Sequence, residues 1–224
     1  MILTYEVLTR VLDIVISICA IFLLSPILMI VAVLLRLTGE GEVFYKQERI
    51  GRDGRTFNLL KFATMLKNSM LMQNGAITVR NDPRVLPLGR ILRKTKINEL
   101  PQLLNILKGD MSIVGPRPLL AKQFNFYSKE GQKIILQMRP GLTGVASILF
   151  RDEEKYFKST ENPHLVYKTK ISPVKQHLEV WFFQNRNIFL YLKIIFLTAL
   201  AILVPKLNMC VFFPKNIKES IPNV

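Results

Sequence analysis

The sequence predicts an α+β chain, mostly helical, in which an N-terminal re-entrant membrane helix–break–helix leads into a small cytoplasmic domain with one short β-hairpin and interfacial amphipathic helices. Three observations predict it: an uncharged run from Ile14 to Leu35, two short alternating runs on either side of Gly51–Gly54, and leucines at helical spacing from Leu100 to Leu107. Composition agrees. Of 224 residues, 50% are hydrophobic, and 31 Lys plus Arg oppose 16 Asp plus Glu for a net charge of +15, with mean hydropathy +0.26. Disorder is excluded, because it pairs low hydrophobicity with high charge. An ordinary soluble metabolic enzyme is seldom this apolar and this basic together. Nucleic acid, an anionic membrane surface or a phosphate-rich substrate would each account for the charge, and the apolar excess favours the membrane.

As a helix, Ile14–Leu35 would reach about 33 Å at roughly 1.5 Å per residue, enough to cross a hydrocarbon core. Only Arg10 offers a basic charge ahead of it and Asp13 stands at its start, which argues against a cleaved signal. Ser25 and Pro26 fall near its middle, where proline deletes a helix hydrogen bond and bends the axis. A straight span and an element that dips into one leaflet and returns both satisfy the run. The returning form is the expectation carried forward, with Arg10 and Arg36 both facing the cytoplasm alongside Lys46, Arg49, Arg52 and Arg55. Residues 1–37 are thus the membrane element, 38–187 the cytoplasmic domain and 188–224 an apolar helix with a basic tail.

Val43–Gln47 and Phe57–Phe62 read as two strands of a hairpin, and Asn81-Asp82-Pro83-Arg84 as a loop. Ile188–Val204 is short for a span and reads as an interfacial helix, with a buried core helix as the alternative. Met209–Phe213, between Lys206 and Lys215, has the pattern of an apolar wedge at the headgroup boundary.

The chemistry concentrates in Gly89–Pro118. Leu100, Leu103, Leu104 and Leu107 mark a helix, Gly109 stops it, Asn98 occupies the N-cap position and Pro101 the first turn. Glu99 therefore falls at a helix N-terminus, where the dipole favours anions, with Arg90, Arg93, Lys94 and Lys96 close in sequence. Such a site would hold a diphosphate or keep a carboxylate ionised; plain capping explains the same pattern. Gly115-Pro116-Arg117-Pro118 is a rigid turn presenting one guanidinium, suited to bidentate phosphate contacts. Pro140–Gly144 is a second tight loop, followed by Arg151 and by Asp152-Glu153-Glu154, which reads as a divalent-ion site or a solvated turn. Cys19, Cys210, His164 and His177 stand isolated, without ligand spacing. There is no P-loop and no GxGxxG.

The order of these motifs is specific: an apolar hairpin with Ser25-Pro26, QERIGRDGRTFNLLKFATM, NDPRVLPLGRILRKTKINELPQLLNILKGDMSIVGPRPL, RPGLTG and a closing apolar helix. Across nearly its whole length the chain resembles the bacterial sugar transferases of the small monotopic phosphoglycosyl transferase family. The resemblance implies transfer of a phosphosugar from a nucleoside-diphosphate sugar, usually a UDP-sugar, to a polyprenol (undecaprenyl) phosphate at the cytoplasmic face of the bacterial inner membrane. Nucleoside monophosphate leaves, and an exopolysaccharide or lipopolysaccharide O-antigen begins. It also implies magnesium and a phosphosugar held covalently on the Asp of an Asp-Glu pair, which here aligns with Asn98 and Glu99. By the same resemblance Lys61, Arg93, Arg117 and Arg151 contact phosphates and Glu99 holds the metal; the charge reading adds Arg90.

Three departures stand out: Asn98 for the nucleophilic Asp, Ala63 where KFRTM has Arg, and Tyr191 where the closing helix often has Asp. Asparagine caps a helix about as well as aspartate but is a poor nucleophile toward phosphorus. The expectation is an active transferase in which Glu99 is indispensable. An inactive homologue that binds lipid or nucleotide-sugar as a scaffold is the alternative. Nucleic acid is not expected as a partner, since an aromatic and basic platform is lacking and there is one Trp. A homodimer is left open.

Overall fold

A computed structural model describes residues 2–72, 75, 77–79, 81–157 and 162–221. The apolar N-terminus forms helix α1 (Ile2–Leu37), long and apolar enough to cross a membrane, with a mean hydropathy of 3.0 in its most apolar window. The helix runs on through Ser25–Pro26, so the expected break does not interrupt it. Pro26 has no N–H to give the Phe22 carbonyl, and the Ser25 hydroxyl donates to that carbonyl instead at 2.8 Å. Along α1 the polar residues Thr9, Asp13 and Ser17 are buried against the rest of the chain, while Leu3, Val11, Phe22, Leu23 and Ile30 are exposed. This inverted pattern is what a helix facing hydrocarbon on its outer side requires.

Strand β1 (Phe44–Ile50) pairs antiparallel with β2 (Thr56–Phe62) from Phe44 opposite Phe62 to Ile50 opposite Thr56, so β1 continues three residues beyond Gln47. The connection turns through Asp53 and Gly54, both at positive φ. The excursion after β2 is organised by Arg84, 4% exposed, which donates to both carboxylate oxygens of Asp82 and to the carbonyls of Ser69, Gly75 and Ile77. Helix α2 (Pro87–Lys94) follows, then a 3-10 turn at Ile97–Glu99 and helix α3 (Gln102–Lys108), closed by Gly109 at φ 93.

Strand β3 (Ser112–Val114) pairs parallel with β4 (Gly141–Thr143), and the crossover carries α4 (Ala121–Phe124) and α5 (Lys129–Ile135). The chain continues through α6 (Val145–Leu149) and α7 (Pro163–Val166) to a π-helical turn at Tyr167–Ile171. Beyond it lie α8 (Ser172–Asn185), α9 (Ile188–Leu203) and α10 (Lys215–Glu219). One core unites Leu59, Ile106, Met111, Val145, Leu178, Phe182, Ile194 and Ile217.

Helix α9 is apolar on two sides. Tyr191, Ile194 and Leu197 enter the core while Phe189, Phe196 and Leu203 are exposed. The headgroup wedge expected at Met209–Phe213 is not what forms: Met209 and Phe213 are buried, and Phe213 meets Trp181 edge-on. Apolar residues near a core edge gain more by filling it, and Val211 is left exposed. Tyr191 fits its place closely. Its hydroxyl donates to Asp13 Oδ1 at 2.6 Å, and the same oxygen accepts from the Ile113 N–H at 2.7 Å and from Ser112 Oγ at 3.0 Å, fastening α1 to α9 and β3.

Candidate active site

Five separate pieces of chain deliver the site. Lys61 comes from β2, Arg90 and Arg93 from α2, Asn98 and Glu99 from the 3-10 turn, Arg117 from the turn after β3, and Arg151 from the loop after α6. All seven line one cleft of about 1360 Å³, whose wall also includes Leu35 of α1 and Ile202 and Pro205 at the end of α9. Its charged floor is therefore continuous with the apolar helices.

Glu99 Oε1 accepts from Lys61 Nζ at 3.2 Å and from Arg117 Nη2 at 3.3 Å. Burial alone would raise the Glu99 carboxyl, but Lys61, Arg117 and Lys96 outweigh it and hold the group well below the usual carboxylate range. Burial pushes the Lys61 ammonium down to about 8 against the pull of Glu99. Glu99 in turn raises Arg117. Arg93, lowered by burial, donates to Thr78 Oγ1 at 2.8 Å. Arg90 is exposed at the rim and Arg151 half-buried.

Asn98 does not cap a helix. It lies inside the 3-10 turn, which follows Lys96 in the left-handed region (φ 62), and α3 begins only after Pro101. The N–H groups of Glu99, Leu100, Leu103 and Leu104 bond three residues back, so these four are not free to bind an anion at Glu99. The local cations, rather than a helix end, hold Glu99 ionised. Asn98 is buried, with an Oδ1 that meets no hydrogen-bond partner among the described residues.

The Asp152-Glu153-Glu154 cluster is not a metal cage. Glu153 pairs with Lys175 at 2.5 Å and Asp152 with Lys155 at 3.0 Å, while Glu154, raised by burial, lines the cleft. Among the described residues no group of three His, Cys, Asp or Glu side chains could hold a metal. Close backbone approach explains the glycines of the two tight loops: a Cβ on Gly115 would sit 2.4 Å from the Arg139 carbonyl, and one on Gly141 would sit 2.1 Å from the Gly115 nitrogen.

Of the further cations that line the cleft, Lys96 and Arg49 lie nearest the Glu99 charge cluster. Lys96 was legible as a neighbour of Glu99, but its left-handed backbone had no local signal. Arg49, held by Gln47 and by the Pro118 carbonyl at 3.1 Å, had none beyond its basic charge; burial pushes it down to about 10.

Residues 4–205 match the family model described as bacterial sugar transferase. The chain belongs to that family. It is 33% identical over 204 residues to the exopolysaccharide production protein ExoY of Rhizobium meliloti, covering 85% of this chain and 83% of that one. It is 32% identical over 210 residues to the undecaprenyl-phosphate galactose phosphotransferase of Salmonella typhimurium, covering 88% of this chain and 40% of that one. With the UDP-glucose:undecaprenyl-phosphate glucose-1-phosphate transferase of Escherichia coli, identity is 38% over 148 residues, 64% of this chain and 31% of that one. This family member thus spans less than half of each of the last two relatives.

Proposed function

We propose that the chain transfers the sugar 1-phosphate of a UDP-sugar to undecaprenyl or a related polyprenyl phosphate, releasing UMP and starting an exopolysaccharide or lipopolysaccharide glycan. The observation that carries this reading is the cleft itself: a buried, ionised Glu99 with Lys61, Lys96, Arg93 and Arg117 on a floor that opens beside α1 and α9. Substrates bearing a diphosphate and a lipid phosphate need several fixed cations, and phosphoryl transfer asks for little beyond positioning and charge stabilisation.

The step we infer is a single displacement. A phosphate oxygen of the polyprenyl phosphate attacks the β-phosphorus of the UDP-sugar. The new P–O bond forms as the bond to the oxygen bridging the α-phosphorus breaks, and UMP leaves with that electron pair. Asn98 has no carboxylate to offer, and Glu99, paired to two cations and held ionised far below neutrality, is a weak nucleophile. Glu99 orients Lys61 and Arg117, and the Asn98 amide fixes the diphosphate. Magnesium commonly binds through one or two carboxylates plus substrate phosphates, so Glu99 fits an ion that arrives with the diphosphate and would neutralise its oxygens.

The site belongs, in this reading, on the cytoplasmic face of the inner membrane, with the unbroken α1 lying along the domain at that face and both its ends on that side. What supports this placement is packing. Near its start α1 meets α3, where Arg10 donates to the Ile106 and Leu107 carbonyls at 2.6 and 2.9 Å; near its end Val31 and Leu35 pack on Phe62 and Leu92. A helix crossing the bilayer would carry one end away from the domain. Modification of a cysteine introduced at Thr4 from the periplasmic side alone would refute this placement.

The decisive assay incubates membranes containing the protein with a panel of UDP-sugars and polyprenyl phosphate and follows UMP release. Product without a trapped phosphosugar adduct is the expected result. Asn98 favours one second reading, a scaffold that binds nucleotide-sugar without turnover; binding with no UMP release under any sugar would establish it.

A further inference from the structure

Two loops bring arginines to the cleft from the domain side: Gly115–Pro118 with Arg117, and the loop after α6 with Arg151. Both are tied to one face of α8. The Gly115 N–H donates to the Thr143 carbonyl at 2.9 Å and the Pro116 carbonyl accepts from the Gly141 N–H at 2.8 Å, so β4 holds the first half of the turn. The Arg117 N–H donates instead to Glu179 Oε1 at 3.4 Å. One helical turn earlier, Lys175 donates to Glu153 Oε2 at 2.5 Å, and its ammonium lies 5.2 Å from the ring centre of Tyr167 and 5.4 Å from that of Phe150.

Lys175 and Glu179 are 4% and 2% exposed, and neither lines the cleft. Buried charged side chains cost more stability than well-packed apolar ones of the same size, so packing alone does not call for them. We propose that Lys175 and Glu179 are positioning residues, which from successive turns of α8 set the two loops so that Arg117 and Arg151 face the cleft together. The inference rests on the reading of those arginines as phosphate-binding. Burial pushes the Glu179 carboxyl up to about 8, which leaves it a neutral acceptor near pH 7 that a glutamine amide reproduces.

The test uses the full chain in membranes, with UMP release giving kcat/KM and thermal unfolding as the structural control. Glu179→Gln should stay close to wild type, whereas Glu179→Met should lose about tenfold in kcat/KM, the scale of one lost hydrogen bond that orients a reacting group. Combined with Arg117→Ala, Glu179→Met should add nothing further, because the two act through one contact. Should Glu179→Met fold poorly, the paired replacement Lys175→Met with Glu153→Met removes the second tie without leaving a charge unpaired. That variant should keep its unfolding temperature, lose about tenfold in kcat/KM and add nothing to Arg151→Ala. Wild-type turnover in both folded apolar variants, or losses additive with the arginine variants, would overturn the positioning role. Wild-type turnover in Arg117→Ala and Arg151→Ala would instead overturn the phosphate-site reading on which it stands.

Discussion

Lys61 offers the sharpest prediction, because its environment fixes both the sign and the size of a pH effect. Its ammonium is buried beside Glu99 and Arg117, and burial lowers it from 10.5 to about 8. The cation is the form that pairs Glu99 and attracts phosphate, so activity should be present below about 8 and lost above it. For one group with that value, kcat/KM should fall about tenfold between pH 7 and pH 9. Glu179 titrates near the same value, so the comparison belongs in the Glu179→Gln background. There, Lys61→Arg substitutes a guanidinium that does not titrate below pH 12 and should flatten the alkaline limb. The stability effect runs the other way. A lysine with a depressed folded value costs about 3 kcal/mol at neutral pH, a cost relieved as pH rises from about 8 to 10.5. UMP release measured from pH 6.5 to 9.5 decides the matter. An active Lys61→Arg variant that keeps the full alkaline decline would refute the assignment.

Arg117→Ala and Arg93→Ala should each lower kcat/KM by ~1.5 to 3 kcal/mol, a charge-assisted phosphate contact, with membrane association intact, and Arg117→Lys should recover part of the loss. Glu99→Gln should abolish UMP release, since Lys61 and Arg117 lose the carboxylate that orients them; wild-type turnover would remove Glu99 from the site. Asn98→Asp should yield a phosphosugar adduct, detectable by mass spectrometry when UDP-sugar is supplied alone, where the native chain gives none. Tyr191→Phe deletes one of the hydrogen bonds to buried Asp13, worth ~1.5 to 3 kcal/mol, and should lower the unfolding temperature by about 2–4 °C for each of those kcal/mol.

Where local pattern governs structure, the sequence is a sufficient guide: alternation places the hairpin to within three residues, and Gly109 closes α3 as its φ of 93 demands. The cleft residues were legible because each sits in a short rigid motif. Their convergence was not, since it depends on β3 and β4, three residues each, pairing across 26 residues of intervening chain. Asn98 shows how a correct residue can carry a wrong geometry. Asn followed by Glu, Leu and Pro satisfies the rule for a helix cap, yet the left-handed Lys96 tightens the chain into a 3-10 turn that uses up the N–H groups a cap would serve. The charge around Glu99 is then supplied by side chains from three other segments, β2 through Lys61, the turn after β3 through Arg117 and the residue after α2 and Thr95 through Lys96. A carboxylate held by a helix dipole would survive loss of any one cation with little change. One held by Lys61, Arg117 and Lys96 should respond to each of them, which is why titrating Lys61 reads out the construction of the whole site.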